Sequence, residues 1–249
     1  MGRSTLRRAS TLAFATAVFA TSTFATTVAE AGTESQTVTA DERGGNPSVV
    51  VVGDSLTADN APQIDAHLRG ARVGGVHLAA LGGRRIDVDY EFFGWNNSGR
   101  DEIARLRASG VDPLLWIVEL GTNDLRELAG CGCADPAVVA GELIDVILDA
   151  VGERGEIVWV TVHDREAPIE SAVFNSELRR RVVLGDIDAL ADWSGVARSG
   201  EGWFLDRVHP NHIGAGALAG LYADAIDAFF ERRSMTLFER MRFRFANYA

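Results

Sequence analysis

Four short stretches of this chain carry side chains that could do covalent chemistry. Gly53-Asp54-Ser55-Leu56 places a serine directly after a run of valines, where a strand would turn into a helix. A hydroxyl there stands at the mouth of a sheet, beside the free N–H groups of the helix start. The same turn also suits a serine that only caps the helix. Gly121-Thr122-Asn123-Asp124 follows another apolar run. An asparagine amide at such a place can aim a neutral donor at a developing oxyanion, although the tetrapeptide alone is also a turn signal. Asp206-Arg207-Val208-His209-Pro210 sets an acid one helical turn ahead of a histidine. The acid can accept from one ring nitrogen, which leaves the other free as a base toward a serine. Gly82-Gly83-Arg84-Arg85 offers backbone N–H groups that can approach a substrate oxygen closely. His67, His77, His163 and His212 have no such context around them and read as core or surface residues.

These four motifs need a scaffold that brings them to one edge. Residues 49–52, 75–81, 114–120, 157–162 and 186–191 read as strands, the first of them wholly β-branched. Between them lie helical patterns. Ser98 with Asp101 and Glu102 opens one helix, with Ile103 and Leu106 inward. Asp135-Pro136 opens another, which carries Val139, Leu143, Ile147 and Ala150 on one face and stops at Gly152. The last long helix spans about residues 211–232, with Leu218, Leu221, Tyr222, Ala225 and Phe229 as its stripe. Alternation of this kind predicts an α/β fold with a central parallel sheet of about five strands and helices on both faces. Such sheets put their chemistry beyond the carboxyl ends of the strands. The serine, asparagine and double-glycine motifs all follow strand-like runs.

Composition narrows the chemistry further. The chain has 249 residues with 24 Lys+Arg against 35 Asp+Glu, and all of those cations are arginine. Without a lysine amine there is no Schiff base, no Walker-type phosphate loop and no Ser–Lys dyad. The phospho-receiver reading of a layered α/β fold falls for the same reason. A formal charge of −11 argues against nucleic-acid partners.

The ends of the chain read as separate segments. Arg3, Arg7 and Arg8 precede an uncharged Ala/Thr/Phe/Val run that closes on Ala29-Glu30-Ala31, the layout of a secretory signal peptide over residues 1–31. Residues 32–47 are polar and read as a flexible leader into a domain at 48–232. Residues 233–249 form a tail in which Leu237, Phe238, Met241, Phe245 and Tyr248 share a helical face near Arg240, Arg242 and Arg244. A basic amphipathic helix of that type either packs on its own domain or associates weakly with an anionic envelope surface. Cys131 and Cys133 could close a short disulfide outside the cytoplasm or stay reduced.

Taken together, the order Ser55, Gly83, Asn123, Asp206-x-x-His209 resembles the SGNH (GDSL-type) hydrolases over roughly residues 48–232. Ala191-Asp192-Trp193-Ser194, Trp203 through His209, and Asn175 ahead of Arg179-Arg180-Arg181 further resemble the extracellular SGNH domains of bacterial cell-wall O-acetyltransferases. The resemblance implies a three-layer α/β/α, flavodoxin-like fold and a serine esterase. Ser55 would be the nucleophile, His209 the base and acid, and Asp206 its orienting partner. The oxyanion hole would be the N–H groups of Ser55 and Gly83 (or Gly82) with the Asn123 side chain. No metal or organic cofactor is implied. The expected activity is hydrolysis of small acyl esters, acetyl above all, on a carbohydrate or cell-wall glycan outside the cytoplasm. An O-acyltransferase and a non-catalytic glycan-binding module are the alternatives. Trp193 and Trp203 fit a substrate wall or core packing equally well.

Overall fold

The computed structural model describes residues 36–38, 48–68, 75–88, 97–130, 132, 135–235 and 237–248. The signal-peptide segment, most of the leader and the Cys131–Cys133 pair lie outside them. Five parallel strands form the centre: β2 (Val49–Gly53), β3 (Val76–Ala80), β4 (Leu115–Glu119), β5 (Ile157–Val160) and β6 (Ala189–Ala191). They follow the order β3-β2-β4-β5-β6, with Val51 level with both Leu78 and Ile117, and Trp159 with Leu190. That is the flavodoxin-like doubly wound order, whose chain reverses direction across the sheet beside the first parallel strand.

One strand was not anticipated. β1 (Gln36–Val38) pairs antiparallel with β3 at the sheet edge, Thr37 opposite His77. It comes from the polar stretch read as a flexible leader. Three residues carry too little periodicity to announce a strand, and what holds them is the unpaired backbone edge of β3.

Alternation along each strand divides the core into two layers. Val50, Val52, Trp116, Val118 and Trp159 face α3 (Gly99–Ala108), α4 (Leu125–Gly130), α5 (Pro136–Val151) and α6 (Pro168–Leu184). Val49, Val51, Leu115 and Ile117 face the other side. There they meet α1 (Ser55–Ala58), α2 (Ala61–Leu68), α7 (Trp193–Ser199) and α8 (His212–Arg233). Ser98 caps α3 by accepting from the Asp101 N–H, and Asp135 caps α5 by accepting from the Ala137 N–H. The buried face of α5 is Ala140, Leu143, Ile144, Ile147 and Val151, so Val139 and Ala150 sit on its flanks. In α8 the stripe is Leu218, Tyr222, Ile226 and Phe229, with Leu221 and Ala225 flanking it. Helices held between a sheet and solvent turn their narrowest apolar ridge inward, and hydrophobicity alone places that ridge only to within a residue.

The C-terminal tail forms α9 (Leu237–Tyr248). Its Tyr248 hydroxyl accepts from the Leu190 N–H at 3.2 Å, and the ring packs against the α6-side core. Met241 and Phe245 remain exposed, so the anticipated apolar face of this helix is divided between domain and solvent.

Gly121 follows β4 with φ +118°, and a Cβ there would stand 2.8 Å from the ring of Phe174. Gly121→Ala combines left-handed backbone strain with overpacking and is expected to cost about 2–4 kcal/mol. Urea unfolding would read this as a lower midpoint at unchanged slope.

Candidate active site

Ser55 opens α1 at the carboxyl end of β2, and Asn123 lies just past the carboxyl end of β4, its sheet neighbour. The cap of α1 is Asp54, whose Oδ1 accepts from the Leu56 N–H at 2.9 Å. That settles the choice left open for the serine, because its hydroxyl does not cap. The Ser55 Oγ instead lies 2.9 Å from Nε2 of His209. Nδ1 of the same ring lies 2.7 Å from Oδ2 of Asp206. The loop between α7 and α8 thus brings two residues across about 150 positions of chain to a serine at the far end of the domain.

The Asp206 carboxylate is tied down by its own backbone. Its Oδ1 accepts from the N–H groups of Val208 and His209, both at 2.8 Å. Slight burial pushes its pKa up, but those N–H groups and the histidine ring outweigh this and hold it at about 2. It is therefore charged at neutral pH, and a charged carboxylate at Nδ1 keeps a proton on that nitrogen and leaves Nε2 free to accept the serine proton.

Asn123 donates both amide protons, to Asp54 Oδ2 at 2.9 Å and to the Arg84 carbonyl at 3.1 Å. Two facing acceptors fix which end of the amide points inward. Through Arg84 the amide reaches the double-glycine turn, closed by the Arg84 N–H donating to the Leu81 carbonyl at 3.1 Å. Gly83 has φ +74° and Gly82 does not have a positive φ, so the turn requires glycine at Gly83 alone of the two. The Arg84 guanidinium is buried and holds the turn down, donating to the Gly53 carbonyl at 3.2 Å and the Asn97 carbonyl at 3.0 Å.

Beneath the serine lies a buried polar chain that sequence reading passed over. Glu119 ends β4 with 3% exposure. Its Oε2 accepts from the Asp54 N–H at 3.2 Å and from the Thr57 hydroxyl at 3.0 Å, while the Tyr222 hydroxyl sits 2.8 Å from that of Thr57. Burial raises Asp54 to about 6, and burial together with the nearby Asp54 charge raises Glu119 well above an ordinary glutamate. The pair therefore retains a proton where free carboxylic acids have lost theirs. The one available signal was a single acid inside an otherwise apolar strand.

The other singled-out residues do not converge on Ser55. Trp193 is a core residue at 1% exposure, and Trp203 is half-buried, lying against Gly200 and Gly214. Asn175 is buried and clamps the backbone of Val162, accepting from its N–H at 2.9 Å and donating to its carbonyl at 2.8 Å. His67 and His212 are exposed on α2 and at the first turn of α8, and His77 lies on β3. His163 lines a separate cavity.

No protein-family model matches the sequence, and no curated protein is significantly similar to it. Solved structures do share its fold. The C-terminal catalytic domain of peptidoglycan O-acetyltransferase A from Streptococcus pneumoniae aligns with TM-score 0.51 at 17% identity, covering 74% of this chain and 93% of that one. A putative acylhydrolase from Bacteroides fragilis aligns with TM-score 0.55 at 18% identity, covering 77% and 90%. A member of the lipolytic G-D-S-L family from Veillonella parvula aligns with TM-score 0.54 at 14% identity, covering 71% and 96%. The architecture is therefore the three-layer α/β/α fold seen in GDSL-type hydrolases.

A folded-state pKa raised above the unfolded value means that the native protein holds a proton that the unfolded chain has released. Stability then falls as pH rises above the unfolded pKa, until the native group also ionises. For Glu119 the decline begins near its ordinary value of 4.5. Glu119→Gln removes this group, so wild type is expected to lose stability relative to the variant as pH rises from 4.5 toward neutrality. Denaturant unfolding of both proteins across that range checks it, and a parallel pair of curves would contradict the buried-proton assignment.

Proposed function

We propose that this chain is an exported serine ester hydrolase acting on small acyl groups, acetyl above all, carried by a carbohydrate or cell-wall glycan. One observation carries the reading: the unbroken relay Ser55 Oγ, His209 Nε2, His209 Nδ1, Asp206 Oδ2 at 2.9 and 2.7 Å. In this mechanism His209 takes the serine proton as Oγ attacks the ester carbonyl, and Asp206 stabilises the imidazolium that forms. The tetrahedral oxyanion accepts from the N–H groups of Ser55 and Gly83 and from the Asn123 amide, which shifts one donor away from the Arg84 carbonyl. The imidazolium then protonates the leaving alcohol. A water, deprotonated by the same ring, releases the acid from the acyl-enzyme.

The fold shared with a peptidoglycan O-acetyltransferase domain supports acetyl chemistry on a glycan, and it is also what favours the second reading, transfer to a sugar hydroxyl. The two differ only in whether water or a sugar reaches the acyl-enzyme first. Product analysis with and without a sugar acceptor separates them. Export rests on residues 1–31, and weak envelope association on the Arg240, Arg242 and Arg244 stretch beside exposed Met241 and Phe245.

Wild type reacts with a serine-directed fluorophosphonate, whereas Ser55→Ala does not, and Ser55→Ala or His209→Ala lowers kcat on a nitrophenyl acetate by about a thousandfold or more. Asn123→Ala lowers it by about a hundredfold. Equal labelling of Ser55→Ala would remove the assignment. In an exporting host, N-terminal sequencing of the mature protein is expected to begin at Gly32.

A further inference from the structure

A cavity of about 600 Å³ opens beyond the carboxyl ends of β5 and β6, between the start of α6, α7 and the loop that carries the catalytic histidine. Its lining is unlike the surface of an acidic protein. Arg165, Arg179 and Arg198 border it, with His163 and Phe204 between them. Arg179 lies 4.0 Å from Asp192, and the lining acid Asp164 is engaged by Arg207 at 2.7 Å. Glu201 is the other acid on the rim. Among the described residues, no carboxylate stands within ion-pair distance of Arg165 or Arg198; Arg198 donates only to the neutral Ser194 hydroxyl at 3.0 Å, and Arg165 lies over the Phe204 ring at 5.8 Å.

The positive field is felt inside. Burial lowers the pKa of His163, and the charges of Arg198 and Arg165 lower it further against the opposing pull of Asp164. One flank of α6, with Pro168, Ser171, Asn175 and Arg179, lines the cavity. Two guanidinium groups outside any ion pair, beside a partly buried histidine, make a site suited to an anion.

Its position gives it a task. β5 and β6 lie two and three places from β2 in the sheet, so the cavity stands about 10–15 Å across the edge from Ser55. One wall is shared with the catalytic loop, because the Arg165 N–H donates to the Arg207 carbonyl at 3.1 Å and Phe204 bridges to Pro210. We propose that this cavity is a subsite for a carboxylate on an extended substrate, so that the ester hydrolysed at Ser55 belongs to an acidic oligosaccharide. The inference rests on the ester-hydrolase reading and adds a substrate class to it.

The test compares O-acetylated oligogalacturonate with O-acetylated xylo-oligosaccharide of equal length. Wild type is expected to favour the acidic substrate in kcat/KM, through KM. Arg165→Gln and Arg198→Gln are each expected to shrink that preference by about tenfold. The ratio is insensitive to a general folding defect, which lowers both substrates together. A second readout uses Ser55→Ala, in which the His163 ring is titrated by NMR. Unacetylated oligogalacturonate should raise the ring pKa and neutral xylo-oligosaccharide should leave it in place. Equal kcat/KM for the two wild-type substrates, or a His163 ring that responds to inorganic phosphate and not to oligogalacturonate, overturns the subsite. A His163 response in a protein that cleaves neither ester upholds the carboxylate site and removes the hydrolase reading instead.

Discussion

A carboxyl group at 1% exposure can stand behind a serine only if its oxygens are bonded, and Asp54 meets that condition with groups from separate parts of the chain. One oxygen accepts from the Leu56 N–H and starts α1; the other accepts from Asn123 beyond β4. Its backbone N–H goes to Glu119 at the end of that same strand. The residue that caps the helix thereby also holds the Asn123 amide and joins the ends of two neighbouring strands. Because Asp54 takes the cap, the adjacent serine hydroxyl is left for His209. Asp54 has no step of its own in the proposed reaction, yet the geometry of the other groups runs through it.

The second constraint is chain closure. Ser55 and Asn123 share an edge because parallel neighbours end together, but His209 arrives from a loop after the last strand. That loop is braced on both sides. Arg207 pairs with Asp164 after β5, the Leu205 N–H donates to the His209 carbonyl at 2.8 Å, and Asn211 caps α8 by accepting from Ile213 and Gly214. The four residues from Asp206 to His209 form a turn around the Asp206 carboxylate, so aspartate and histidine are held as one local unit and delivered together.

Much of this was legible in advance. The five parallel strands, the caps Ser98 and Asp135, and the stop at Gly152 all rest on local patterns that survive folding. The turn Asp206–His209 is likewise local. What was missed or left open is non-local. β1 exists because β3 offers an open edge, and Trp193 is core because α7 packs against the sheet and α8; neither condition is written near the residue concerned. Glu119 and Arg84 looked like ordinary charges near a strand end and in a turn, and only burial shows them as the struts of the site. Asn175, noticed for its neighbours, turned out to clamp the backbone after β5.

By itself the sequence determined which residues could react and that they would reach one edge of a parallel sheet, because strand and helix periods and turn chemistry depend on neighbours a few positions away. Tertiary structure alone decided that Asp54 caps and Ser55 does not, that a buried glutamate beneath Ser55 has its pKa raised by burial, and that two arginines outside any ion pair border a cavity. Those outcomes depend on which groups lose contact with water together. That is a property of residues far apart in the chain, and no local pattern encodes it.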